Sequence, residues 1–257
     1  MSPSDSTERI VPVVESYGRW AKTYDTAENF LQKVDDELVA AVLGSLSASL
    51  PMKRIVDLGC GTGRNTEKLL SVKGVETVVG LDLTAQMLEA AQWRDAVAKG
   101  VQDGRLVLDV WDVKGHMPVP DCLLGEGRAD GVICTLVLEH LSSLDEFFHR
   151  TRQLLQPRPG SWVFITNMHP DLGQTGGANF IDEDGKLTWT EKHVWSAQDV
   201  VDAAGREGLE AITGVGDDGT GVWTRTVRDE EHVSKIGAGS AKWIGKNVLF
   251  GVVLRTL

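Results

Sequence analysis

Apolar positions along the chain follow two alternating patterns: short continuous runs, and longer stretches in which they recur every third or fourth residue. The first pattern predicts strands buried on both faces, and the second predicts helices with one apolar side. Strands are expected at residues 54–58, 77–81, 105–110, 129–135 and 162–166. Helices separate them. One begins just after Gly63, and one covers 85–99 behind an N-cap at Thr84, with Met87, Leu88 and Ala91 turned inward. Another carries Leu144, Phe147, Phe148, Thr151, Leu154 and Leu155. Between the third and fourth strands, Pro118, Pro120, Gly125 and Gly127 mark an irregular link. Strand-helix alternation of this kind specifies an α/β fold with a doubly wound, Rossmann-like parallel sheet, because each helix crosses back over one face. Ligands in such sheets lie beyond the carboxyl ends of the strands.

The flanks extend this picture. Helical spacing puts Tyr17, Trp20, Ala21 and Tyr24 on one face, and Phe30, Leu31, Val34, Leu38, Ala41 and Val42 on the face of a second helix that stops before Pro51. Residues 12–50 therefore read as N-terminal cap helices, and those up to about Val11 as a loose polar tail. After the fifth strand, a helix is expected over 196–207, a strand over 209–215 and a final strand over 247–255. Two long stretches without periodicity remain, 167–195 and 216–246, both starting at the ligand-bearing rim. Loops of such length are usually functional or disordered, and their aromatic content favours ordered lids. Phe180, Trp189, Trp195, Trp223 and Trp243 can either line a pocket for a small aromatic or apolar molecule or simply cover the sheet. The whole chain, 1–257, reads as one domain with two lid insertions.

Charge and cysteine usage narrow the partners. A net charge of −11, with no basic run beyond pairs such as Lys53-Arg54, disfavours nucleic acid and anionic membranes. Cys60, Cys122 and Cys134 form an odd set without metal-type spacing, and no secretory leader precedes an apolar run, so a reducing, cytoplasmic setting is expected. The most apolar stretch, 38–50, is interrupted by Gly44, Ser45, Ser47 and Ser49 and is too short to span a bilayer. No histidine pair has the spacing of a helical metal site, so no metal is expected. Nothing here bears on oligomeric state.

The chemistry concentrates in R-I-V-D-L-G-C-G-T-G-R-N, Arg54 through Asn65, and in Asp82 at the end of the second strand. Gly59, Gly61 and Gly63 make a turn that admits close backbone approach, and the helix after them offers free N–H groups to a carboxylate. A dinucleotide fingerprint, G-x-G-x-x-G, does not fit, because counting from Gly59 its last glycine falls on Arg64. The spacing G-x-G-x-G, with Asp57 ahead and G-L-D later, resembles motif I and the following acid of class I S-adenosylmethionine (SAM)-dependent methyltransferases. The string L-E-H at 138–140 is similar to the corresponding loop of ubiquinone- and menaquinone-type enzymes, and Tyr17 to Asp25 resembles the Y-x-x-x-A-x-x-Y-D segment ahead of the core in many small-molecule methyltransferases.

That resemblance implies a mostly parallel sheet whose last strand, 247–255, is antiparallel, and a SAM site built from Asp57, Gly59, Cys60, Gly61 and Gly63, with Asp82 on the ribose and Leu83 and Met87 beside it. It further implies Trp111 and Asp112 at the adenine, with Asp109 the near miss, Leu136 after the fourth strand, and Tyr24 over the cofactor. Asp130 begins its strand, far from the rim, and is expected to be structural. His140, His169 and His193 fall near the rim as candidate bases for a small-molecule acceptor methylated at oxygen, nitrogen or carbon. The alternatives are a nicotinamide-dependent reductase, a SAM-binding regulator without catalysis, and a SAM-binding enzyme of another reaction.

Overall fold

The computed structural model describes residues 9–26, 28–174, 179–181, 185 and 187–257 of the protein. Its centre is a parallel array, β2 (Arg54–Leu58), β3 (Thr77–Asp82), β4 (Leu106–Val110), β5 (Gly131–Thr135) and β6 (Trp162–Met168), with the first strand β1 (Arg9–Val11) elsewhere. The helices are α1 (Val13–Trp20), α2 (Phe30–Leu46), α3 (Arg64–Ser71), α4 (Ala85–Ala91), α5 (Asp95–Gln102), α6 (Leu144–Leu154), α7 (Pro170–Gly173), α8 (Ala197–Arg206) and α9 (Glu230–Ile236). The later strands are β7 (Asn179–Ile181), β8 (Leu187–Thr190), β9 (Leu209–Ala211), β10 (Val222–Thr226) and β11 (Asn247–Thr256).

The main sheet runs β10-β11-β6-β5-β2-β3-β4, parallel from β6 to β4, with β11 antiparallel to β6. Successive residues of a strand face opposite ways. Ile55, Val78, Ile133 and Phe164 pack beneath α2, α3 and α5, whereas Val56, Val79, Val132 and Val163 pack beneath α6 and α8. Both faces are covered, which explains why these strands read as continuous apolar runs. Asp130 accepts the backbone N–H groups of Lys53 (2.8 Å) and Arg54 (3.0 Å) and pairs with Arg158, tying β5 to β2 at the end remote from the rim.

Several elements depart from the sequence pattern. The helix expected over 85–99 is broken at residues 92–94, where Arg94 turns to bond the Thr62 carbonyl (2.7 Å), Asp25 (2.8 Å) and Glu67 (3.2 Å). α1 ends at Trp20, so Tyr24 is carried on a turn. The tail expected up to Val11 includes β1, which pairs parallel with β8, and β8 pairs antiparallel with β7, making a separate three-stranded sheet that takes in part of the first expected lid. Residues 1–8 lie outside the described residues.

The strand expected over 209–215 is cut short. β9 and β10 follow one another along the same edge of β11, and the Ile212 N–H donates to the Val253 carbonyl while the Val253 N–H donates to Gly221. The edge is thus one strand interrupted by a surface excursion, residues 213–220, rich in Gly and Asp. The second expected lid is therefore partly sheet: β10 belongs to the edge, α9 packs against α2, and the 3₁₀ turn Ala238–Trp243 reaches the cavity at the rim.

Candidate active site

The glycine turn leaves β2 with φ of 73° at Gly59, 54° at Gly61 and 81° at Gly63, a left-handed backbone that disfavours side chains. The three glycines differ in what surrounds them. A Cβ at Gly59 would lie 2.4 Å from a Val137 methyl, and one at Gly63 would lie 3.0 Å from Val97, whereas one at Gly61 meets nothing within 4 Å. Gly61 alone of the three therefore has open cleft where a side chain would stand. Gly63 caps α3 and is not among the residues that line the cleft.

Asp82 holds the turn from the next strand. Its Oδ2 accepts the Gly61 N–H and its Oδ1 the Thr84 N–H, both at 2.8 Å. Burial raises its pKa above the ordinary carboxylate value, opposed by those N–H groups. Asp57 is fully buried beneath the turn and accepts the Thr66 hydroxyl at 2.6 Å; burial lifts its pKa to about 6 in spite of that bond. Beside it, Arg64 reaches the cleft from the start of α3. Its guanidinium bonds Asp35 at 2.5 Å and also Asp36, and these carboxylates, overcoming burial, raise its pKa.

The cleft is closed opposite by Trp111, Asp112, Val113 and Lys114, below by Leu83 and Met87, and above by Val13, Tyr17 and Tyr24. Trp111 is buried, donates its indole N–H to the Pro118 carbonyl (2.9 Å) and lies under the Arg150 guanidinium (4.7 Å), so it is a fixed wall. Asp112 lines the cleft and accepts the Lys114 N–H at 2.8 Å, whereas Asp109 is exposed on β4. Cys60 also lines the cleft, its thiol pKa pushed up by burial. Leu136 follows β5 with φ 56°, the only positive φ of a non-glycine among the described residues. Such a backbone costs on the order of 1–3 kcal/mol and is typical of functional loops.

A second cavity, of about 360 Å³, adjoins the first. Tyr17, Tyr24 and Leu136 line both. Trp20, Phe30, Glu139, Met168, Trp189 and Trp243 are among its other lining residues, and its size falls within the range of small-molecule sites, about 300–1,000 Å³. Of the lid aromatics, Trp189 and Trp243 line this cavity. Trp195 donates instead to the carbonyls of Leu138 (3.1 Å) and Leu141 (3.0 Å), and Trp223 packs edge-on against Phe164, so both cover the sheet. The side chain of Phe180 lies outside the described residues.

The three histidines separate. His140 is buried at the first cavity, where its Nδ1 faces the Glu191 carbonyl (3.3 Å) and its Nε2 the Tyr17 hydroxyl (2.8 Å). A carbonyl can only accept, so Nδ1 carries a proton, and in the neutral imidazole Nε2 then accepts the Tyr17 O–H. His169 caps α7, its Nδ1 accepting the Asp171 N–H (3.2 Å), and lines neither cavity. His193 stacks beside Trp195 and likewise lines neither. Arg64 and Tyr17 were not anticipated at the site. Tyr17 carried a signal, sharing a helical face with Tyr24, whereas Arg64 depends on Asp35 and Asp36 of α2, which no local pattern connects to it.

A glycine turn braced by an acid on the next strand, at the carboxyl end of a doubly wound sheet, defines an α/β enzyme that holds an adenosyl-type cofactor. A "Methyltransferase domain" family model matches residues 56–160. A protein of Emericella nidulans described as an uncharacterized methyltransferase is 36% identical over 263 residues, spanning 94% of this chain and 90% of that one. The ubiquinone biosynthesis O-methyltransferase of Chromobacterium violaceum is 30% identical over 122 residues, 48% of this chain and 47% of that one. Among solved structures, the DhpI complex with S-adenosylhomocysteine (SAH) shares the fold, with a TM-score of 0.60 at 17% identity over 95% of this chain and 94% of that one. The chain belongs to the class I SAM-dependent methyltransferases.

Proposed function

We propose that the protein methylates a small apolar or aromatic acceptor held in the second cavity, with the cofactor in the first. The observation that carries this reading is that the two cavities meet at Tyr17, Tyr24 and Leu136, so that a ligand in each would abut. The first cavity suits SAM. Open cleft at Gly61 leaves room for close backbone approach, Asp82 has lone pairs for ribose hydroxyls, Asp112 can accept from an adenine amine, and Asp57 sits where a cationic amino-acid group would lie. The bound cofactor supplies an already activated methyl group, and the remaining work is positioning, exclusion of water and removal of a proton.

For an oxygen acceptor the proton has a path. Tyr17 already donates to His140, so a hydroxyl placed against Tyr17 can pass its proton to the phenol oxygen as the Tyr17 proton moves to His140 Nε2. Burial raises the Tyr17 pKa well above its ordinary value, so Tyr17 acts as a neutral relay and His140 as the final base. This narrows the three expected histidines to His140. Among the described residues no helix is long and apolar enough to cross a membrane. We place the activity in the cytoplasm, a reading that the free thiols of Cys60, Cys122 and Cys134 support. The test is incubation with methyl-labelled SAM and a library of small phenols, amines and carbon acids. Label should appear in one acceptor class and vanish in Asp82→Ala; tight SAM binding with no transfer to any class would point to a regulator.

A further inference from the structure

Building on the reading of the second cavity as the acceptor site, we infer that its ligand is a small organic amine, protonated at neutral pH, on an apolar or aromatic body. The argument begins with Glu139. Its side chain is only 6% exposed and lines this cavity, yet its Oε2 has no hydrogen-bond partner. Its Oε1 lies 4.0 Å from His140 Nε2. That nitrogen is engaged by the Tyr17 hydroxyl at 2.8 Å, and 4.0 Å is too long for a hydrogen bond to the carboxylate. A carboxylate buried without a counter-charge is costly, and a ligand that brings a cation or a strong N–H donor removes the deficit.

The surrounding wall has the matching chemistry. Tyr17, Trp20, Tyr24, Phe30, Trp189 and Trp243 contribute aromatic rings, whose electron-rich faces attract cations, most strongly in a desolvated site. The other charged side chains lining the cavity, Glu28 and Lys242, are both exposed, with the Lys242 ammonium over the Trp243 ring (5.5 Å), so Glu139 is the buried carboxylate. The Trp189 indole N–H is also buried without a partner and adds one donor for an oxygen on the same ligand. A neutral hydrocarbon would leave both groups unsatisfied, and an anionic ligand would meet Glu139 as a like charge. An amine on an aromatic body satisfies the carboxylate and fills the walls at once.

The experiment is calorimetry on the full chain saturated with SAH, titrated with 2-phenylethylamine, 2-phenylethanol and phenylacetate, which share one ring and differ in the charge of the terminal group. The amine should bind about tenfold or more tighter than the alcohol, and phenylacetate should be weakest. Glu139→Gln, which keeps the side-chain shape, should remove the preference for the amine while leaving SAH affinity and the alcohol unchanged. An amine that binds no tighter than the alcohol, or a preference that survives Glu139→Gln, overturns the inference. The SAH titration keeps the two readings apart. Failure of SAH to bind the wild-type chain overturns the cofactor reading on which the inference rests, whereas SAH binding without amine preference overturns the inference alone.

Discussion

Gly59 and Gly61 lie two residues apart with the same left-handed backbone, yet substitution should separate them. Gly59→Ala drives a methyl to 2.4 Å from Val137 and should lower stability by about 2–4 kcal/mol, from backbone strain and overpacking together. Gly61→Val meets no protein atom at its Cβ and should leave a cooperative melt, while SAM binding disappears. Thermal melts paired with calorimetry check both, and a Gly61→Val protein that still binds SAM would make the loop a mere turn. Asp57 adds a pH signature. Its pKa in the fold is about 6, above the ordinary 3.8, so its contribution to the stability of the free protein is fully present below about pH 4 and lost as pH rises through 6. The gap corresponds to about 3 kcal/mol. Asp57→Asn should flatten the stability profile between pH 4 and 6, and an unchanged slope in that variant would remove Asp57 as its source. For an oxygen acceptor, Tyr17→Phe and His140→Ala should each lower turnover by at least about tenfold with little change in SAM affinity. His169→Ala and His193→Ala should not. At this scale the glycine turn, Asp57 and Asp82 were legible because one short segment and the next strand end contain them. Which of the three histidines faces a cavity was not, since closeness to a strand end says nothing of where the side chain turns: His140 lines the first cavity, whereas His169 turns back to accept the Asp171 N–H.

Elements built from contiguous apolar runs were legible, and those that depend on a distant partner were not. β2, β3, β5 and β6 each lie buried on both faces and announce themselves. β1 is three residues long and is a strand only because β8 lies beside it, about 180 positions along the chain. β10, with every residue half-buried, is an edge that the sequence pattern left inside a lid. The interrupted edge makes a prediction of its own. In native-state hydrogen exchange of the free protein, the β10 amides bonded to β11 should be protected, while residues 213–220 exchange fast. Uniform fast exchange from 213 to 226 would return the segment to the lid. The break between α4 and α5 has a similar origin: Arg94 is pulled to Asp25, Glu67 and the Thr62 carbonyl, contacts that join the N-terminal turn to the glycine loop and are invisible to helical periodicity.

Across the whole molecule, the sheet brings the glycine turn, Asp82 and Asp112 to one rim, and the N-terminal elements close that rim from above with Tyr17 and Tyr24. The family resemblance covered the cofactor half best because its residues come from consecutive strand ends. The second cavity is assembled from α1, the start of α2, the turn after β5, the end of β6, β8 and the turn before β11, elements far apart in sequence, so its aromatic walls and Glu139 emerge only in three dimensions. The central claim is that the first cavity is a SAM site organised by Asp82. Isothermal titration of the wild-type chain and Asp82→Ala with SAM addresses it most directly. One molecule of SAM should bind per wild-type chain, and loss of charge-assisted hydrogen bonds worth about 1.5–3 kcal/mol each should weaken Asp82→Ala by about tenfold or more. Equal affinity in the two proteins, or no binding to the wild type, would contradict the account.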